Sequence, residues 1–342
     1  MRIASFGPMR RHTNSNQCFD AKRGGISGAP NTNRTCDLPL RRGLLYPLSY
    51  RGVSGDSTFL RYLLSAVATL LALPVLAQSW AWDDGSVPFV VTPPEIVERM
   101  MRMAEVGPGD TLVDLGSGDG RIVIAAAQRG ARAFGVDLDP ELVRTAADNA
   151  RKAGVAERAT FAVRDIFDTD LSQASVVAFY LLPEFNAKLL PQLLALKPGT
   201  RIVSHDGSIG DWPADERHEM RVPEKAVGLG GLSRIELWVV PGDARGRWVS
   251  EVPQHGGRWT FAVAQRFQAL EVEARAEGRE HLVRASRLRG TEIKLAVTGV
   301  IGGHAWNHLF AGQLEGGRIQ GTLTISDGEK ARSFPWMAAR VP

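Results

Sequence analysis

Cysteine is almost absent from this chain. There are two, Cys18 and Cys36, and none between residues 37 and 342. That excludes a disulfide, a thiolate nucleophile or a Cys-ligated zinc from most of the protein. No His or carboxylate cluster has metal-ligand spacing, so no metal is predicted. Long apolar runs are scarce too. The one that stands out, residues 62–77, is short of the roughly 20 residues that a membrane-spanning helix needs. Also missing is an even spread of basic charge. The net charge is +4, yet residues 1–77 hold ten basic and three acidic side chains, residues 78–240 hold 17 and 24, and residues 241–342 hold 14 and 10. The basic excess belongs mainly to the leader, which removes the argument for a nucleic-acid partner. The acidic middle suits a cationic substrate, or is simply a solvated surface.

Residues 1–55 have no sustained apolar periodicity and many turn formers, and read as a disordered leader. Codons for "LYPLSY" (45–50) and "NRT" (33–35) can be chosen whose complement matches the D-arm and T-loop of a tRNA gene. This predicts a mistranslated antisense stretch ahead of a later start at Val53 or Leu60; the alternative is a genuine tail. Residues 56–77 read as a signal peptide or an uncleaved anchor. Arg61 precedes the apolar run, and Val75 and Ala77 stand at the small-residue positions before Gln78. Asp83 and Asp84 beyond the run point the rest of the chain away from the cytoplasm. Membrane association is therefore expected to run through residues 62–77.

The next stretch, 86–240, alternates helix and strand. Thr92, Pro93 and Glu95 predict a capped helix whose Val97, Met100, Met101 and Ala104 share one face. Strands are expected at 111–116, 131–138, 159–165, 175–182, 200–206 and 234–240. Helices are expected at 121–129, 140–153 and about 185–195. This order builds an α/β, Rossmann-like, doubly wound and mostly parallel sheet. From about 245 to 342 the pattern becomes short period-2 segments parted by glycines. These predict a small antiparallel β barrel or sandwich.

"TLVDLGSGDGR", residues 111–121, carries the chemistry. Gly116, Gly118 and Gly120 follow a predicted strand, and Asp114 and Asp119 stand among them. A dinucleotide needs its pyrophosphate against bare amides at such a turn, and carboxylates would repel it. A ligand with an ammonium and a sulfonium, such as S-adenosylmethionine, would tolerate or prefer them. A nicotinamide oxidoreductase is thereby disfavoured. Asp137 ends the second strand, where an acid can accept both ribose hydroxyls. Asp165 ends the third, within reach of an adenine amino group. Three acids at successive strand ends all face one crevice.

"VDLGSGDGR", "GVDLDP" and "RDIF" resemble the class I S-adenosylmethionine-dependent methyltransferases over about residues 87–240. "FVVTPPEIVERMM", "DLGSGDGRIVIAAA" and "YLLPEFNAKLLPQLLALKPGTRIVSHD" resemble one branch of them. These are the protein-lysine methyltransferases related to the mitochondrial enzymes acting on ATP synthase and on the adenine nucleotide translocase, with bacterial relatives. The resemblance implies S-adenosylmethionine as cofactor at Asp114, Gly116, Gly118, Asp137 and Asp165, with Thr92 closing over it. Ser117, Leu138 and Ile166 complete the expected contacts. The "FAGQLEGGRIQGT" and "FPWMAAR" pieces resemble lipocalin-like barrels and carry no ligand assignment.

A lysine nucleophile must be neutral, although its free pKa is near 10.4. The site must therefore desolvate it or accept its proton. Tyr180 and Glu184, near the end of the fourth strand, and His205, at the end of the fifth, are the catalytic candidates. Tyr180 offers a ring face or hydroxyl to an amine, and is equally readable as a core aromatic. His205 is expected at the substrate mouth. The Asn/Asp-Pro-Pro-aromatic motif of other N-methyltransferases is missing. Protein-lysine methylation leads. A methyltransferase acting on a small molecule or lipid, walled in by the β domain, is the alternative, followed by a binding protein without catalysis. Location stays open, because the leader points outward while the donor is a cytoplasmic metabolite.

Overall fold

A computed structural model describes residues 89–223, 231–253 and 255–342. The expected leader, signal segment and apolar run at 62–77 lie outside the described residues. Among the described residues no helix is long and apolar enough to cross a membrane.

The first helix, α1 (Pro94–Met103), forms because Ile96, Val97, Met100 and Met101 fall on one stripe and bury it. The capping box does not form. Pro93 occupies the cap position with no side-chain bond. Its carbonyl instead receives the N–H groups of Ile96 and Val97 at 3.0 and 3.1 Å. Thr92 falls one residue too early, and its hydroxyl turns inward, where it is 4% exposed.

Then come β1 (Thr111–Leu115), α2 (Arg121–Gln128), β2 (Arg132–Asp137), α3 (Pro140–Lys152), β3 (Ala159–Val163), β4 (Val176–Phe179), α4 (Pro183–Leu194) and β5 (Arg201–His205). Two further strands, β6 (Glu216–Arg221) and β7 (Leu232–Val239), complete a seven-stranded sheet in the order β3-β2-β1-β4-β5-β7-β6. The first five are parallel, and β7 and β6 are antiparallel to their neighbours. Helices α1, α2 and α3 bury Met100, Val123 and Ala150 on one face. Helix α4 buries Leu189 and Leu193 on the other. Strand β4 is shorter than expected because Leu182, held extended ahead of Pro183, is already the cap of α4. Strand β6, "ERHEMR", was not expected. It is the sheet's edge, where charge on alternate residues costs little and discourages further pairing.

The remaining strands are β8 (Gly246–Val252), β9 (Gly257–Arg266), β10 (Ala269–Ala276), β11 (Arg279–Arg289), β12 (Glu292–Ile301), β13 (His304–Glu315), β14 (Arg318–Ser326) and β15 (Ala331–Val341). They close into an eight-stranded barrel through pairing of β15 with β8. Its interior is filled by Trp248, Trp259, Phe261, Phe310 and Trp336. Ring centroids of Phe310 lie 5.2 Å from Trp259, 5.0 Å from Phe261 and 5.2 Å from Trp336.

The barrel joins the sheet at the amino-terminal ends of the parallel strands. The Gly242 N–H reaches the Gly290 carbonyl at 2.7 Å, and Gly290 packs on Gly199, just before β5. Arg289 pairs with Glu216 at 2.5 Å. Trp212 stacks on Phe267 and donates to Gln268 at 2.8 Å. A cleft of about 250 Å³ at this junction is lined by Arg201, Val239, Arg289 and Thr291. The expected walling-in of a substrate by the barrel is therefore corrected: the barrel sits at the end of the sheet opposite the crevice.

Candidate active site

The crevice is built where β1, β2, β4 and β5 end. After Leu115 the chain turns over the end of β2, and the N–H groups of Gly116 and Ser117 both reach the Val136 carbonyl, at 2.9 and 2.8 Å. Gly116, Gly118 and Gly120 take φ of 79°, 51° and 82°, a region costly to residues with a Cβ. Space is short as well. A Cβ on Gly118 would enter the Phe89 ring, and one on Gly120 would stand 2.7 Å from Phe161.

Asp114, on β1, is 1% exposed, and its Oδ1 has no hydrogen-bond partner. Burial, with the charges of Asp137 and Asp119, pushes its carboxyl well above the usual carboxylate range. The Ser117 hydroxyl is also buried without a partner. Asp137 ends β2, and its Oδ2 accepts from the Gly118 N–H at 2.8 Å. Asp165 stands two residues past β3 and caps a short 3₁₀ turn, accepting from Phe167 N–H at 2.9 Å. Leu138 is 67% exposed and Ile166 half-buried. With Val163 and Phe167, Leu138 adds exposed apolar surface at the ends of β2 and β3.

Asp119 corrects the charge argument made from sequence. Burial opposes its ionisation, but Arg121 prevails and holds the carboxyl below its usual range. The guanidinium binds both Asp119 oxygens, at 2.9 and 2.5 Å, and donates to the Thr92 carbonyl at 2.7 Å. Asp119 is thus committed to tying the entry of α1 to the glycine turn. The acids of the crevice floor are Asp114 and Asp137.

His205 does not line an open mouth. It is fully buried, because the segment before α1 and Tyr180 cover the end of β5. Its Nδ1 lies 3.3 Å from the Thr92 hydroxyl, and its Nε2 lies 3.1 Å from Ser233 Oγ and 3.5 Å from Asp206 Oδ2. Tyr180 rests above it at 4.0 Å between ring centroids. Burial, then the charge of Asp206, pushes the Tyr180 phenol up to about 12, so it stays protonated at any ordinary working pH. Glu184 is exposed in the first turn of α4. Asp206 itself is held at φ 53°, a strained value for a residue with a Cβ. Its N–H reaches the Arg234 carbonyl, and its Oδ1 accepts from Arg234 N–H, both at 2.7 Å.

Sequence reasoning missed Asn186. This α4 residue is fully buried, and neither its Oδ1 nor its Nδ2 has a partner. It packs on Gly207, just past β5, so closely that a Cβ there would overlap Nδ2. The signal was in the sequence: Asn186, Leu189 and Leu193 share the buried stripe of α4, and one of them is polar. Arg121 was missed because its partner Thr92 is 29 residues away.

Comparison with known proteins finds methyltransferases. A family model described as the ANTKMT methyltransferase domain matches residues 114–216. A protein-lysine N-methyltransferase of Saccharolobus islandicus (strain REY15A) is 44% identical over 133 residues, covering 38% of this chain and 83% of that protein. An ATP synthase lysine N-methyltransferase of Mus musculus is 36% identical over 165 residues, covering 48% of this chain and 63% of the mouse protein. Among solved structures, an RNA methyltransferase from Salinibacter ruber in complex with S-adenosyl-L-homocysteine is 46% identical. The match covers 45% of this chain and 95% of that one, at a TM-score of 0.40. The chain belongs to the S-adenosylmethionine-dependent protein-lysine methyltransferases.

Proposed function

We propose that the donor binds across the ends of β1, β2 and β3 and that a lysine carried by a protein is methylated at the ends of β4 and β5. The observation that carries this reading is Asp114: a buried carboxyl with no partner on Oδ1, under a turn of three left-handed glycines. An unpaired buried acid costs stability unless a donor or a cation meets it. The residues fit the group. Asp114 and Ser117 offer unsatisfied atoms, Asp137 offers a carboxylate for a ribose, and Leu138, Ile166 and Phe167 offer apolar surface for an adenine. Asp165 is placed for the adenine edge, and Thr92, linked to His205, covers the site. When bound, S-adenosylmethionine supplies a methyl group already made electrophilic by its sulfonium.

The chain's own task is then to hold an amine in line, poorly hydrated and neutral. Tyr180 is no base, because its phenol is pushed far above working pH. It supplies a ring face and a neutral hydroxyl. The buried His205 fixes Tyr180 from below and acts as a positioning residue. Glu184, exposed beside this wall, is placed to draw a cationic side chain toward it. The small-molecule reading loses its support, because the barrel lies away from the crevice. A mouth that the barrel does not wall suits a lysine that arrives on a protein surface.

The test is transfer from methyl-deuterated donor into soluble and membrane extracts, followed by mass spectrometry of digested protein. Label on lysine with wild-type protein, and none with Asp137→Ala, is expected. Label confined to the organic extract would establish the small-molecule alternative instead. Binding without any label would leave a non-catalytic protein.

A further inference from the structure

We propose that Asn186 is the residue that receives the acceptor amine, a role inferred from its place in the fold and resting on the lysine-methylating reading above. Fully buried side-chain amides normally have their hydrogen bonds made. Leaving one unmade forfeits the group's solvation without replacement. Asn186 leaves both its polar atoms without a partner. It does so between the ends of β4 and β5, the wall of the crevice facing away from the donor's acids.

Three neighbours define the place. A Cβ on Gly207 would meet Asn186 Nδ2 and would lie 3.4 Å from the Leu181 carbonyl oxygen. A Cβ on Gly116 would stand 2.9 Å from Leu181 Cδ2. Leu181 therefore links the two places: its side chain touches the glycine turn, and its carbonyl lies beside Gly207, where the amide packs. Its side chain, against the turn, is half-buried. On this proposal an amine that enters past Leu181 meets Asn186 Oδ1. An amide oxygen there accepts an N–H of the neutral amine and aims its lone pair, without the charge that would hold the amine as ammonium. The new bond forms between that nitrogen and the methyl carbon. The carbon–sulfur bond breaks and its electron pair stays on sulfur, leaving S-adenosylhomocysteine. The extra proton on nitrogen leaves to solvent. Helix α4 thereby supplies the amide that other N-methyltransferases carry in the motif missing from this chain.

Asn186→Leu separates function from structure, because the two side chains are close in size. If Asn186 only fills space, removing two unpaired polar atoms raises the melting temperature and leaves transfer unchanged. The proposal expects an equal or higher melting temperature, donor affinity within about twofold, and kcat/KM on a lysine-bearing protein down about 100-fold. Asn186→Asp covers the case in which the leucine variant misfolds. A carboxylate there retains the acceptor but favours the ammonium form, so the pH optimum moves upward and activity partly returns at alkaline pH. A structural role gives a loss that grows as pH rises, because the buried carboxyl is penalised for ionising. Wild-type transfer by Asn186→Leu, or a loss in Asn186→Asp that does not diminish as pH rises, overturns the assignment. A wild-type protein that labels no lysine sinks the underlying reading and this inference with it.

Discussion

The crevice and the barrel both bury polar atoms without partners, but they arrange them differently. Near the carboxyl ends of the parallel strands, Asp114 Oδ1 and Ser117 Oγ lie at the glycine turn, and the Asn186 amide lies in the first turn of α4, against Gly207. In the barrel, Ser250 Oγ, His281 Nδ1, His308 Nδ1 and Trp336 Nε1 sit on β8, β11, β13 and β15, among rings that pack on one another. Unsatisfied groups that converge can share a ligand. Those enclosed among packed rings cost the barrel stability. On the proposed reading the chemistry lies at one end of the sheet, and the barrel is a packed body at the other.

The largest effect should come from emptying the barrel. Phe310→Ala removes a ring in contact with three others, and should lower stability by about 3–5 kcal/mol. Donor affinity should hold, because the barrel lies at the far end of the sheet. A parallel loss of donor binding in a still-folded variant would break the comparison. Gly118→Val should act the other way round. The left-handed φ and the overlap with Phe89 together cost about 3 kcal/mol, or about 100-fold in donor affinity. Calorimetry on the folded variant checks this, with the barrel's tryptophan fluorescence unchanged.

An acid titration sharpens the contrast with smaller effects of opposite sign. Burial first, then the nearby His255 and His281, pushes His308 down from 6.5 to about 4. The folded barrel therefore resists a proton that the unfolded chain accepts. Its contribution is intact above pH 6.5 and is lost as pH falls toward 4. Asp114 is pushed up instead, so its contribution is full below its unfolded value and is lost as pH rises through the folded one. Asp114→Asn should remove that second dependence from thermal melts and leave the acid loss from His308 in place. Donor affinity in wild type should rise with pH as Asp114 ionises, with proton release seen in buffers of different ionisation enthalpy.

Legibility followed range along the chain. The glycine turn, Asp114, Asp137 and Asp165 could be read because strand, turn and acid lie within a few residues of one another. The barrel's strands could be read from their alternation, but not their closure, since β8 and β15 meet across some ninety residues. The barrel's position was misjudged for the same reason: the contacts that set it, such as Arg289 with Glu216, are non-local. Strand β6 was invisible because its alternation is charged rather than apolar. Thr92 misled because Pro93 took the cap. His205 looked like a mouth residue until the segment before α1 was seen to cover it. Asn186 was hidden in a helix whose other buried residues were enough to predict it.

The central claim is that this crevice takes a cationic nucleoside and not a diphosphate. Isothermal titration of wild type and Asp137→Ala with S-adenosylmethionine, and of wild type with NADH, tests it directly. Saturable binding of S-adenosylmethionine by wild type is predicted, at least about 30-fold weaker in the variant, with no binding of NADH. Firm binding of NADH with the sulfonium donor ignored would contradict it.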